Sequence, residues 1–140
     1  MGDDLAGANV NRSYSLAGTS IAIFTFSLFF LFPKYVSGEA DPWLFQATVV
    51  VMGLATFSFT FASFYYYCAS LPSRFSDADR ALFSRRGDRF WLTGYTLLFF
   101  APSLVLFSIG LLAVGSVWLA LWVVFVIFVL RHFPKIQAGR

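Results

Sequence analysis

Four long apolar stretches dominate the pattern of this chain, the first three separated by short polar segments and the last two by Gly115 and Ser116 alone. Each stretch approaches or exceeds the length of about 20 apolar residues that a helix needs to cross a bilayer. We therefore predict an all-α integral membrane protein whose 140 residues form one four-helix domain. The predicted transmembrane helices lie at residues 16–33, 43–70, 90–114 and 117–132.

The third predicted helix has the clearest internal pattern. Small residues recur in it every seven positions, at Gly94, Ala101, Ser108 and Gly115, with leucines at the same interval between them. A period of seven places such residues along one side of a helix. Small residues let two helix backbones approach closely within a membrane. The pattern therefore predicts a helix-packing surface and makes this helix the packing centre.

A second stripe follows the second predicted helix through Gln46, Gly53, Thr56, Thr60 and Ser63. Its members are small or polar, so they favour a surface that faces protein or water rather than lipid. One hypothesis is that the stripe packs against another helix. The other is that several copies assemble around it and the hydroxyls line a narrow aqueous path. We favour packing.

The connection between the second and third helices holds eight of the 17 charged residues, more than any other segment. Ser76 is a suitable N-cap for a short amphipathic cytoplasmic helix at residues 77–86, and Gly87 is a suitable end for it. Such a helix is expected on the membrane surface, with its arginines among anionic lipid headgroups. These arginines are Arg80, Arg85 and Arg86.

The other two connections are short. Asp41 followed by Pro42 is typical of a helix start, because the carboxylate accepts from free backbone N–H groups and proline fits the first turn. Gly115 and Ser116 are almost the whole turn between the last two predicted helices. Helices three and four are therefore predicted to form a tight hairpin.

The distribution of positive charge predicts the orientation. Nine of the ten Lys and Arg residues lie in the two terminal tails and the second connection, and the remaining one, Lys34, lies in the first connection. By the positive-inside rule, both termini are expected in the cytoplasm and the protein in the cytoplasmic (inner) membrane. The net charge of +3 thus indicates orientation and contact with an anionic bilayer, and no nucleic-acid partner is expected.

The first apolar stretch has an alternative interpretation as a secretory signal peptide. Val36 and Gly38 are acceptable near a cleavage site, where small residues are needed. The segment before the stretch contains Asp3, Asp4 and Arg12, whereas signal peptides begin with a basic segment. We favour a retained helix.

Candidate chemistry is scarce. No ionisable acid or base lies between the predicted helix ends, the single histidine, His132, adjoins Arg131 at a helix end, and Cys68 is the single cysteine. No catalytic, metal or cofactor site is therefore predicted, and an enzyme is not expected. The sequence predicts a protein that acts through helix–helix association, as a homo-oligomer or as a subunit of a larger membrane complex. The alternative is an oligomeric ion or small-solute channel lined by the second helix.

Overall fold

The computed structural model describes the backbone of residues 2–138 and the side chains of residues 7–132. These residues form four helices and no strand, and all four are long and apolar enough to cross a membrane, as expected of an integral membrane protein. The helices are α1 (Gly2–Val36), α2 (Pro42–Ala69), α3 (Asp77–Ser108) and α4 (Leu112–Ala138). The Lys135 side chain and Arg140, which contribute to the basic C-terminal tail, lie outside the described residues.

The helix α2 lies at the centre of the arrangement, packed between α1 and α3. The helix α4 packs against α3 alone: among the described residues, no Cα atom of α4 lies within 8 Å of one in α1 or α2. The two central helices therefore form the core, and the two outer helices are attached to it separately.

The core depends on an alternation of large and small side chains along one side of α2, which we call its inner face. Its large members and its small members each recur every seven residues, so both sets lie on one side of the helix. All of them are buried. They are Phe45, Met52, Phe59 and Tyr66, and Thr48, Ala55, Ala62 and Ala69.

The facing surface of α3 consists of small residues. The phenyl ring of Phe59, which is 0% exposed, lies so close to Gly94 that a Cβ atom added there would come within 2.9 Å of it. The ring of Tyr66 occupies the same position relative to Gly87, again at 2.9 Å. A larger residue at either position would force the ring to shift, because the ring occupies the space of a side chain.

These two contacts define one antiparallel register, because a step of seven residues along α2 is matched by a step of seven in the opposite direction along α3. Continued along the helices, the register sets Met52 opposite Ala101, whereas the Phe45 ring stacks on Tyr35 of α1 at 4.6 Å between centroids. Met52 and Ala101 line one cavity, and the backbone N–H of Asp41 donates to the Ser108 carbonyl oxygen at 3.1 Å. The end of α3 is thus tied to the start of α2.

The start of α2 is as predicted. The Asp41 carboxylate accepts from the N–H groups of Trp43 and Leu44, both at 2.9 Å, and Pro42 occupies the first turn. Capping of this kind satisfies two of the N–H groups that have no partner within a helix.

The separate amphipathic helix predicted at residues 77–86 is wrong, because α3 continues through it without a break. Ser76 caps the helix as predicted, accepting from the Asp79 N–H at 3.2 Å, but Gly87 lies in the helix interior. The Phe83 ring contacts the Tyr65 ring of α2 at 6.3 Å between centroids. This segment therefore packs on the end of α2 and extends α3.

The connection between α3 and α4 also differs from the prediction: it lies at residues 109–111 rather than at Gly115. Gly110 has a φ of 80°, and its N–H donates to the Phe107 carbonyl oxygen at 3.1 Å. The Leu111 N–H donates to Leu106 at 2.9 Å, which completes a Schellman motif with glycine in its left-handed position. Gly115 consequently belongs to α4, where an added Cβ would meet the Phe107 ring at 2.7 Å.

The two outer helices are longer than predicted. Helical backbone in α1 begins at Gly2 rather than near residue 16, and α4 continues past residue 132. In α1 the early turns include Ser13 and Ala17, both buried in the bundle. Packing of this polar segment explains why a pattern of apolar residues alone places the start too late.

The contact between Phe59 and Gly94 generates the first prediction. Gly94→Leu should destabilise the protein by about 1–3 kcal/mol, because the new side chain cannot enter the space of the ring. Gly18→Leu is the matched control: Gly18 is an exposed helical glycine with nothing within 4 Å of an added Cβ. Adding Phe59→Ala should partly rescue the Gly94 variant, as expected for residues in direct contact. Unfolding by denaturing detergent measures all of them, and equal losses at Gly94 and Gly18 would refute the contact.

Candidate functional site: the surfaces of α2 and the basic end

The structure distributes the predicted α2 stripe over different environments. Gln46 and Thr60 are exposed, Gly53 and Thr56 are half-buried, and Ser63 is 0% exposed. The buried inner face of α2 lies one residue earlier than the columns that the stripe follows. The five residues therefore do not share a single packing surface within the chain.

The hydroxyl groups of the stripe are satisfied within α2 itself. Thr56 donates to the Met52 carbonyl oxygen at 3.0 Å, Thr60 donates to Thr56 at 3.0 Å, and Ser63 donates to Phe59 at 3.1 Å. Bonds of this kind to the carbonyl four residues back are a common arrangement for Ser and Thr inside helices. Because each donor has an acceptor in its own helix, an exposed threonine on α2 does not require a partner for its hydroxyl hydrogen.

A second alternation of large and small residues lies on the uncovered side of α2, which we call its outer face. Gly53 has nothing within 4 Å of an added Cβ and lies between the exposed Gln46 and Thr60. Large exposed side chains recur beside this column at the same interval of seven, so the two columns adjoin. The large members are Trp43, Val50, Phe57 and Phe64.

Polar contacts link α2 and α3 at the end where α2 finishes. The hydroxyl of Tyr66 donates to a carboxylate oxygen of Asp88 at 2.7 Å. The guanidinium of Arg80 donates to the Ala69 carbonyl oxygen at 2.8 Å and pairs with Asp77 at 3.5 Å. A cation on the last carbonyls of a helix stabilises that end, where the helix dipole is negative. Arg80, predicted to lie among lipid headgroups, is therefore engaged within the protein.

The remaining predicted headgroup residues, Arg85 and Arg86, are exposed. Arg12 of α1 lies over the Trp91 ring of α3 at 5.1 Å, and both line a cavity with His132 of α4. The first half of α1, the middle of α3 and the end of α4 therefore lie close together. We call this end of the bundle the basic end, because it holds Arg12, Arg85 and Arg86. Lys34 lies at the opposite end of α1.

The described residues contain no group of three His, Cys, Asp or Glu side chains placed to hold a metal ion. Cys68 is a free, buried thiol. The His132 ring stacks on Phe128 at 4.3 Å, and its Nδ1 lies 2.9 Å from the Phe128 carbonyl oxygen. What the described residues offer is packing surface and a localised positive charge.

Two structural features were not predicted from the sequence. Trp118 and Trp122 donate their indole N–H groups to carbonyl oxygens of α3, at Phe99 (2.9 Å) and at Thr96 (2.8 Å). The available signal was that these indoles are the only polar side-chain groups in the apolar part of the last helix. A polar group in lipid needs a partner, and the neighbouring helix provides it.

The second missed feature is a serine series in α1. Ser13, Ser20 and Ser27 recur every seven residues, and the first two are buried, at 0% and 1% exposure. Neither of these two hydroxyls has a hydrogen-bond partner among the described residues. The same interval of seven that identified the α3 surface was present here and would have shown the packed side of α1.

Comparison of the chain with models of protein families, with curated proteins and with solved structures gives no match. What this chain does must therefore be inferred from its own residues and their arrangement.

The second prediction follows from the bond between Tyr66 and Asp88. Tyr66→Phe should lower stability by about 1.5–3 kcal/mol, the usual contribution of a hydrogen bond to a charged group. Tyr67→Phe, the same change at the adjacent exposed tyrosine, should alter stability by no more than about 0.5 kcal/mol. Thermal unfolding in a mild detergent measures the difference. If the two variants melt alike, the bond does not hold the helix ends together.

Proposed function

We propose that this protein is a non-enzymatic polytopic membrane protein that acts through helix–helix association, and that the outer face of α2 is the associating surface. It pairs with a second copy or with another subunit of a membrane complex. The observation that carries the proposal is the uncovered Gly53 column beside Phe57 and its large neighbours. The inner face of α2 uses the same alternation to pack against α3.

The physics of association in lipid supports this surface. Lipid chains are as apolar as leucine, so helices associate through close van der Waals packing and through polar contacts. A small residue such as Gly53 admits a neighbouring backbone, and the adjoining Phe57 provides a large side chain to fill a hollow on the partner. Gln46, exposed near the start of α2, retains amide donors and an acceptor for the same partner.

We further propose that both termini lie in the cytoplasm and that α3 and α4 form a hairpin. The basic end supports this orientation, because it collects Arg12 with Arg85, Arg86 and Arg89, whereas the first connection carries Lys34. The excess of Lys and Arg marks the cytoplasmic side of membrane proteins. We accordingly propose the cytoplasmic (inner) membrane as its location.

The third prediction tests this orientation by cysteine labelling in a Cys68→Ala background. Cysteine at Glu39, exposed between α1 and α2, should react with an impermeant thiol reagent added outside cells. Cysteine at Ser73, exposed between α2 and α3, should react only after the membrane is permeabilised. The reverse pattern would place the basic end outside and overturn the proposed orientation.

The fourth prediction concerns assembly. Gly53→Leu should weaken association in native-like membranes, because a branched side chain at a close crossing pushes the partner backbone away. Gly18→Leu is again the matched control, since it makes the same change at an open glycine on α1. Chemical crosslinking and pull-down in a mild detergent report assembly, and thermal unfolding shows that each variant is folded. A wild-type protein that remains a lone monomer, or equal losses in both variants, would contradict the proposal.

The channel alternative requires the α2 hydroxyls to face a common aqueous path. The burial of Ser63 disfavours it, because this residue points into the protein core in the single chain. A pore lined by Thr56 and Thr60 in an oligomer is the remaining form of that hypothesis. Ion flux into liposomes that contain the purified protein would distinguish it from association alone.

A further inference from the structure

A long groove runs between α1 and α4, because no Cα atom of one helix lies within 8 Å of a Cα atom of the other among the described residues. At the basic end it forms a cavity of about 330 Å³ whose lining includes Arg12, Trp91 and His132. Further along it opens into a second cavity of about 640 Å³, lined among others by Ile23 of α1 and Trp118 of α4. Phe99 lines both cavities, so the two lie next to each other along α3, and we describe them together as one groove.

The floor of the groove is an aromatic row on α3. Trp91 and Tyr95 have ring centroids 4.4 Å apart, and Tyr95 and Phe99 stack at 5.9 Å. Phe125 of α4 contacts Phe99 from the side at 5.2 Å. From Trp91 to Leu106 the groove extends about 22 Å at 1.5 Å per residue. It is therefore longer than one leaflet of the hydrocarbon core, which is about 15 Å thick.

The mouth of the groove carries the charge. The Arg12 guanidinium lies over the Trp91 ring, an arrangement that engages its positive charge but none of its N–H donors. Among the side chains of residues 7–132, no carboxylate forms an ion pair with Arg12. His132 adds an imidazole ring, whose Nε2 atom is not used in the contact with Phe128. A planar guanidinium with free donors is suited to bind a phosphate through two hydrogen bonds.

We infer that this groove is a binding site for one anionic phospholipid, with the phosphate at Arg12 and one acyl chain lying on the aromatic row. Charge selects this occupant over a transmembrane helix, because an apolar helix in the groove would cover Arg12 without supplying an anion. It also selects an anionic headgroup over a choline headgroup, whose cation would lie beside Arg12. The apolar length selects a lipid over free phosphate.

The test measures thermal unfolding of the full-length protein in a mild detergent while phosphatidylglycerol, phosphatidylcholine or inorganic phosphate is added. Phosphatidylglycerol should raise the unfolding temperature in a saturable manner, since a ligand that binds the folded state stabilises it. Phosphatidylcholine should act only at higher concentrations, and inorganic phosphate should have no effect. Arg12→Gln should raise the phosphatidylglycerol concentration needed by about tenfold or more, as expected from the loss of a charge-assisted hydrogen bond.

Two matched controls separate this site from the general surface. Arg74→Gln removes an exposed arginine of the connection between α2 and α3, outside the groove, and should keep the wild-type response. Val129→Phe narrows the groove and should weaken the response, whereas Val124→Phe, on an exposed part of α4, should not. The unfolding temperature without lipid shows that each variant is folded. Equal responses to the two lipids, no response, or equal losses in the Arg12 and Arg74 variants would each overturn the inference.

Discussion

The contact of the Phe59 ring with the backbone at Gly94 is the constraint on which the rest of the structure depends. A methyl group added at Gly94 would come within 2.9 Å of this ring and would force it to shift. Because Tyr66 and Gly87 repeat the contact seven residues away, the two helices have one register. In lipid, where burial of apolar surface gives little driving force, close packing of this kind has to supply the specificity.

The positions of the outer helices follow from this core. The register places the end of α3 beside Asp41, which fixes the first connection against the last turn of α3. The glycine turn after Ser108 then begins α4 next to α3, where Trp118 and Trp122 bond to its carbonyl oxygens. With α1 held mainly by α2 and α4 by α3, the side between the outer helices remains open. The groove is thus a consequence of how the core is built.

The sequence was sufficient for the number of spans and for the small-residue pattern of α3, whose members Gly94, Ala101 and Ser108 are buried. A long segment without charged residues and a period of seven are strong signals, because few other structures produce these patterns. The helix boundaries were less predictable. Gly87 and Gly110 look alike as possible helix ends, and only the Tyr66 ring beside one of them shows that it lies inside a helix.

The packed side of α2 illustrates a second limit. A period of seven is met equally by the column that begins at Phe45 and by the column that begins at Gln46. In a soluble protein the more apolar column would be the buried one. In a membrane both sides of a helix meet apolar surroundings, so polarity does not distinguish them. The decisive feature is complementarity of large residues on α2 with small ones on α3, which requires the register of both helices.

Disulfide formation across α2 and α3 measures that register most directly. In a Cys68→Ala background, Met52→Cys is combined with either Ala101→Cys or Ser108→Cys, and the oxidation rates in membranes are compared. The pair with Ala101, whose position faces Met52, should crosslink rapidly. The pair with Ser108, about 10 Å further along α3, should crosslink slowly. Equal rates, or faster reaction at Ser108, would contradict the register and with it the packing centre described here.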